Sequence, residues 1–383
     1  MSCITFILVI LALGWTLLRF AAGRYAPKPR PDETHYTVTS DGWRIAIHRW
    51  RARGASPHGE PVLLHHGYSA NHKGFDLGVG SPEAPVPSIA HALADRGYDV
   101  WACDLRGRAD SDRPVPFGER KWNWSVDDYI HRDDPAIVDY ILFRSAYSQL
   151  HWIGHSMGGL LLFCHCGVHG SSRVASGITV GSGIDYSDSG SYYIPLLRFH
   201  PLIRWMKRNH LGLISKISSP MDGRGHTITE EFNYWPSNTA PAAGRAIHAG
   251  VINDVSGNVT KQMTTLFSPG GFRSADDSVR YADKMSSIET PILLLGGDRD
   301  RQAPPILIDR TLSQLGHARH AKAQFGPEHG HRDHYGHFDL LVGLRAETEV
   351  FPTIFDWIEK HPAKKKDAAA QPGASPKAKS KRS

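Results

Sequence analysis

Gly154-His155-Ser156-Met157-Gly158 is the stretch with the residue types and spacing to do nucleophilic chemistry. An apolar run containing Leu150, Trp152 and Ile153 precedes it, and the apolar segment Leu160–Cys164 follows. The pattern predicts a strand turning sharply into a helix, with the serine at the turn. Such a turn strains the serine backbone, so its neighbours must be small, and Gly154 and Gly158 leave that room. The first amides of the following helix would then face charge developing on a substrate oxygen.

A serine needs a base, and the base needs a carboxylate to orient it. Tyr335-Gly336-His337-Phe338-Asp339 follows the last predicted strand and offers His337. Gly296-Gly297-Asp298-Arg299-Asp300 follows the buried run Pro291–Leu295 and offers Asp298 or Asp300. Asp300 is preferred because Asp298 still sits in the tight Gly-Gly turn. Asp339 is too near His337 in sequence to orient it and is expected to support the loop or start the final helix. His329, His331, His334 and His337 with Asp333 match no trusted zinc spacing, so no metal or organic cofactor is expected. His155 is assigned to packing or hydrogen bonding, and Arg106-Gly107 to shaping a loop near the mouth of the site.

The elements that must position these residues follow in order. His35–Thr39 and Trp43–Trp50 read as a hairpin around Ser40-Asp41-Gly42. Strands Pro61–His66, Tyr98–Cys103, the run into Ser156, Gly177–Gly181, Pro291–Leu295 and Ala321–Phe325 alternate with helices. Those helices are Ser88–Arg96, Val126–Arg144 (broken or entered at Pro135), the one after Ser156, Pro304–Leu315 and Arg345–Lys360. That alternation predicts a mostly parallel sheet with helices on both faces. It lapses over 184–289, too long for a loop and therefore read as a largely helical cap inserted into a core of 34–183 and 290–361.

Length and composition agree with one such domain plus an insertion: 383 residues, 40% of them hydrophobic. The formal charge of +6 sits largely in the lysine-rich tail 362–383, expected to be disordered, and no nucleic-acid signature accompanies it. Cys3, Cys103, Cys164 and Cys166 read as free thiols, which leans toward a reducing compartment. Residues 1–23 contain the apolar run Ile4–Leu18, extended by Phe20–Ala22, followed by Arg19, Arg24, Lys28 and Arg30. That run predicts a single-pass anchor with the catalytic domain on the cytoplasmic side, a cleaved signal and secretion being the alternative. Residues 24–33 carry Pro27, Pro29 and Pro31 and read as an extended linker.

His65-His66-Gly67-Tyr68, Leu93–Trp101, Gly154–Gly159 and Gly336-His337-Phe338-Asp339 together resemble the α/β-hydrolase superfamily, in its acid-lipase-like branch, over about Thr34 to Lys360. The resemblance implies the α/β-hydrolase fold, a Ser156 nucleophile, an Asp/His relay and hydrolysis of carboxylic esters. The oxyanion would sit between the backbone amides of Tyr68 and Met157. The apolar stretch Tyr192–Leu197, continuing through Phe199 to Met206, is expected to roof an acyl pocket, with Leu196, Leu197 and Trp205 in its wall and selectivity for longer acyl groups. Acyl transfer by the same triad is the alternative reading, and a non-catalytic membrane scaffold a third. The expected partner is a small-molecule or lipid ester.

Overall fold

The computed structural model describes residues 23–367 except 56, 82–83, 197–205 and 317–318, together with residues 5, 14 and 16. Eight strands form the main sheet: β1 (Glu33–Val38), β2 (Arg44–Trp50), β3 (Pro61–His65), β4 (Asp99–Asp104), β5 (Leu150–His155), β6 (Val174–Val180), β7 (Ile292–Gly297) and β8 (Ala321–Phe325). Their order is β1-β2-β4-β3-β5-β6-β7-β8. Only β1–β2 and β2–β4 pair antiparallel; every other pair is parallel.

Strand β3 shows why these residues make a central strand. All five are buried, as a parallel strand covered on both faces requires. Val62 and Leu64 point into one apolar core and Leu63 into the other, one on each side of the sheet. Each such side chain contributes roughly 1.5–3 kcal/mol by leaving water. The helices α1 (Ile89–Asp95), α2 (Asp134–Arg144), α3 (Met157–His169), α4 (Ile306–Leu315) and α5 (Phe351–Lys360) cover the two faces. Pro135 sits in the first turn of α2, where its missing N–H costs nothing, and the five-residue wider turn Tyr129–Asp133 leads into it.

Strand β3 is flanked by β4 on one side and β5 on the other, so the chain changes its direction of growth there. In an open parallel sheet that reversal leaves a crevice beyond the carboxyl ends of the strands. Gly67 and Ser156 meet at this place.

Between β6 and β7 no described residue joins the main sheet. The segment holds helices Tyr193–Leu196, Leu211–Ser218, Ile228–Asn233, Pro241–Ala246 and Gly257–Met263, and the short antiparallel pair of 208–209 with 255–256.

Three expectations are corrected. Strand β6 begins at Val174, not Gly177, because the small and polar Ala175-Ser176 belong to it: buried Ser176 Oγ lies 2.9 Å from His151 Nδ1 on β5. Residues 362–367 are not a free tail. The Lys364 carbonyl accepts from Ser148 N–H, and the Lys366 ammonium caps the Leu142 and Ser145 carbonyls at 2.7 and 2.9 Å. The single-pass anchor is also withdrawn: no helix among the described residues is long and apolar enough to cross a membrane. The run Ile4–Ala22, on which it rested, lies outside the described residues but for 5, 14 and 16. The proline-rich 24–33 is no free linker: residues 24–25 are helical, and Lys28 N–H donates to Leu77 O and Arg30 N–H to Asp76 Oδ2.

Candidate active site

Ser156 stands between β5 and α3 with φ 54°, ψ −120°. That is a backbone region L-residues rarely occupy, held here by its surroundings. Ser156 N–H donates to Val180 O, and Ser182 Oγ donates to Ser156 O at 2.6 Å. The small neighbours are required by contact. A Cβ on Gly154 would overlap the Gly158 backbone, and one on Gly158 would overlap the His65 carbonyl. A Cβ on Gly67 would come within 2.9 Å of Ser156 Cβ and 3.4 Å of its Oγ. Gly67→Ala is therefore expected to cut turnover of an ester substrate about 10²-fold while shifting thermal unfolding little, since one misplaced reacting group costs about that much. Steady-state kinetics beside a melting curve checks it.

Asp300 and His337 come together, each 2% exposed. Asp300 Oδ2 accepts from His337 Nδ1 at 2.7 Å, and its Oδ1 accepts the Gln302 and Ala303 amides at 2.9 and 2.8 Å. The carboxylate is thus fixed on both oxygens. With the His337 proton on Nδ1, Nε2 is left as a base. Gly181, at φ 61°, makes room for the pair: a Cβ there would stand 2.9 Å from Asp300 Oδ2 and 3.0 Å from His337 Nδ1. It directly follows Val180, the partner of Ser156, so one strand end touches all three side chains' surroundings. His155 Nε2 donates to His337 O at 3.1 Å, and its ring packs 4.6 Å from the His337 ring. Burial, and then the neighbouring His337, hold His155 well below the usual histidine range, so it is a neutral prop.

The other carboxylates hold loops. Asp298 bonds His334 Nδ1 and accepts from Tyr335 N–H at 2.9 Å. Asp339 starts the short helix Asp339–Val342 and accepts from Gly336 N–H at 2.8 Å and Trp235 N–H at 3.2 Å. Burial raises its carboxyl to about 7. Arg106 is spent on Asp41 and Asp133 and shapes its loop without lining the cavity beside Ser156.

The histidines that crowd together in sequence part in space: His331 packs on Phe325, His334 on Asp298, His337 on Asp300, and Asp333 pairs with Arg345. Another group, unnoticed in the sequence, does gather: His48, His72, Asp104 and Asp110, with ligand atoms within 4.8 Å of one another. Both imidazoles bond Asp104, and their rings stack with centroids 3.6 Å apart at 24°. Both imidazoles close on the same oxygen, Asp104 Oδ2, at 3.2 and 2.9 Å, which makes the set a buried carboxylate clamp.

Tyr68 and Met157, the expected oxyanion donors, line one cavity with Ser156. Leu160, Tyr186, Tyr193, Met263, Leu266 and Phe267 make most of its remaining, largely apolar wall, with Gln302 as a polar exception; the cavity measures about 90 Å³. Of the expected wall residues, Leu196 falls in the helix Tyr193–Leu196, while Leu197 and Trp205 lie outside the described residues. Tyr193 came from the expected stretch. Met263, Leu266 and Phe267 were missed, although their helical spacing was visible.

His66, after β3, accepts from Leu105 N–H through Nε2 at 3.1 Å and donates from Nδ1 to Gly67 O at 2.9 Å, which requires the neutral ring. Burial, with His65 and Arg108 nearby, pushes it down to about 3. Below its unfolded value of about 6.5 the unfolded chain takes up a proton that the folded one refuses until about pH 3. Stability is therefore expected to fall as pH drops through that window, by up to about 1.4 kcal/mol per pH unit from this group. Asp339, raised to about 7, acts in the opposite direction over the same window, so urea unfolding at about pH 7.5 and pH 5 is compared between wild type and His66→Asn; the same pH dependence in both would refute it.

The α/β-hydrolase fold model matches residues 60–209. A probable lipase of Schizosaccharomyces pombe is 24% identical over 357 residues, 86% of this chain and 77% of that protein. Human gastric triacylglycerol lipase is 31% identical over 140 residues, 35% of this chain and 34% of that one, so that match spans about a third of each. Among solved structures, an esterase from Thermogutta terrifontis superposes with TM-score 0.56 at 16% identity, covering 86% of this chain and all of that one.

Proposed function

We propose that this chain, which matches the α/β-hydrolase fold model over residues 60–209 and a probable lipase at 24% identity, hydrolyses carboxylic esters with an apolar acyl group, with Ser156 as nucleophile. The observation that carries this reading is Ser156 at a positive-φ turn heading α3, whose neighbour His155 bonds His337 O, together with the hydrogen-bonded Asp300–His337 pair. Ser156 Oγ attacks the ester carbonyl as His337 Nε2 takes its proton, and Asp300 stabilises the imidazolium. The resulting oxyanion accepts from the Met157 and Tyr68 amides. Collapse of the intermediate breaks the ester C–O bond, and the imidazolium returns the proton to the leaving alcohol. Water, deprotonated by His337, then frees the acid from the acyl-enzyme.

The segment 184–289 acts as the cap, since Tyr186, Tyr193, Met263, Leu266 and Phe267, with Thr260 and Thr264, supply most of the cavity wall. Sites that enclose a drug-sized ligand measure roughly 300–1,000 Å³. Against that, about 90 Å³ takes an acyl chain of a few carbons. The expected optimum is thus a short chain such as butyryl, with palmitoyl and acetyl poorer, in place of the selectivity for longer acyl groups expected from the sequence. A 4-nitrophenyl ester series, together with a fluorophosphonate adduct located on the peptide containing Ser156, tests this. No hydrolysis of any ester and no adduct would overturn it.

A further inference from the structure

The cavity has a conspicuous polar member. Gln302 is 5% exposed, lines a mostly apolar wall, and has every side-chain hydrogen bond it needs. Its Oε1 accepts from Tyr193 Oη at 2.7 Å. Its Nε2 donates to Phe232 O at 2.9 Å and Asn233 Oδ1 at 3.3 Å. The donor on Tyr193 and the acceptors at 232–233 fix which way the amide points. Its backbone serves the same junction: the N–H donates to Asp300 Oδ1, and the carbonyl accepts from Ser191 Oγ at 2.7 Å.

One residue therefore ties together three distant segments: 191–193, 232–233 and the loop bearing Asp300. The middle segment also reaches the other loop. Asn233 O accepts from Phe338 N–H, next to His337, and Trp235 N–H donates to Asp339. Tyr193, held by Gln302, packs its ring 5.0 Å from Phe232 and 6.0 Å from Phe267, so its place sets the width of the cavity. A buried amide is costly unless all its groups are satisfied. An apolar residue would fill this wall without that cost, yet only an amide can accept from Tyr193 while donating to 232–233.

We propose that Gln302 is a positioning residue that latches the 184–289 segment onto the Asp300 loop, and thereby sets the cavity's selectivity for acyl length. The selectivity half rests on the ester-hydrolysis reading; the latch itself does not. The test uses the full chain, Gln302→Leu, Tyr193→Phe and the double variant, with acetyl, butyryl and octanoyl 4-nitrophenyl esters. Hydrogen exchange is read over 191–193 and 232–235. Gln302→Leu is expected to raise KM for the butyryl ester on the order of tenfold, the scale of a lost buried hydrogen bond, and to flatten the preference among the three. Tyr193→Phe, which removes one of the same bonds, is expected to raise it about threefold alone and to add nothing on the Gln302→Leu background. Both peptides are expected to exchange faster in Gln302→Leu.

A common factor for all three esters, or Tyr193→Phe acting equally on both backgrounds, would overturn the selectivity role. Unchanged exchange in either peptide would overturn the latch. A wild type that turns over no ester would overturn the ester-hydrolysis reading, and the exchange result would still decide the latch.

Discussion

Ser156→Ala is expected to lower kcat for the best ester about 10⁴–10⁶-fold and to abolish fluorophosphonate labelling, with the fold retained. The size follows from chemistry: alanine leaves the amides of Met157 and Tyr68 and the Asp300–His337 pair in place but removes the atom that forms the acyl bond. Residual turnover would then come from water attacking an ester held in the cavity. Serine and alanine carry the same Cβ strain at φ 54°, so thermal stability is expected to change little. Rates on the ester series and a melting curve, run side by side, check both expectations. Ester hydrolysis within tenfold of wild type would remove Ser156 from the mechanism.

The second large effect distinguishes two aspartates on one loop. Asp300→Asn is expected to cost about 10⁴ in kcat with little change in KM. An amide at this place can donate to His337 Nδ1 and so favours the tautomer with its proton on Nε2, the wrong nitrogen for a base. The Gln302 and Ala303 amides on Oδ1 would hold the Asn side chain in register, so the loss reads as tautomer rather than collapse. Asp298→Asn is expected to cost less than tenfold. Asp298 touches His334 and Tyr335, and an Asn oxygen can still accept from Tyr335 N–H. Reversed magnitudes would exchange the two assignments.

Much of this arrangement could be read from one dimension. Buried runs such as Pro61–His65 and Ile292–Leu295 are continuous because both faces of a parallel strand are covered, and glycines flank Ser156 because backbone presses on them. Asp300 was separable from Asp298 by its distance from the Gly-Gly turn. The cavity wall was not readable. Met263, Leu266 and Phe267 reach Ser156 only because the chain folds back over about a hundred residues, and local pattern does not encode that return. The Gln302 contacts share this character, joining 193, 232 and 302. Ser176 was passed over as a strand residue because it is polar, though His151 satisfies it inside the sheet. Lys366 looked like one more solvated lysine, yet it caps two carbonyls at the end of α2.

That docking of 362–367 also decides how the protein can be handled. Ser148 and Lys364 meet just before β5 begins at Leu150, whereas Ser156 follows the same strand's far end. Six strand residues separate the two points, roughly 20 Å at the rise of an extended chain. A surface or fusion partner joined directly at Asp367 is therefore attached from the pole opposite the cavity. Molecules tethered this way should stand with their substrate mouths outward and keep the specific activity of the free protein.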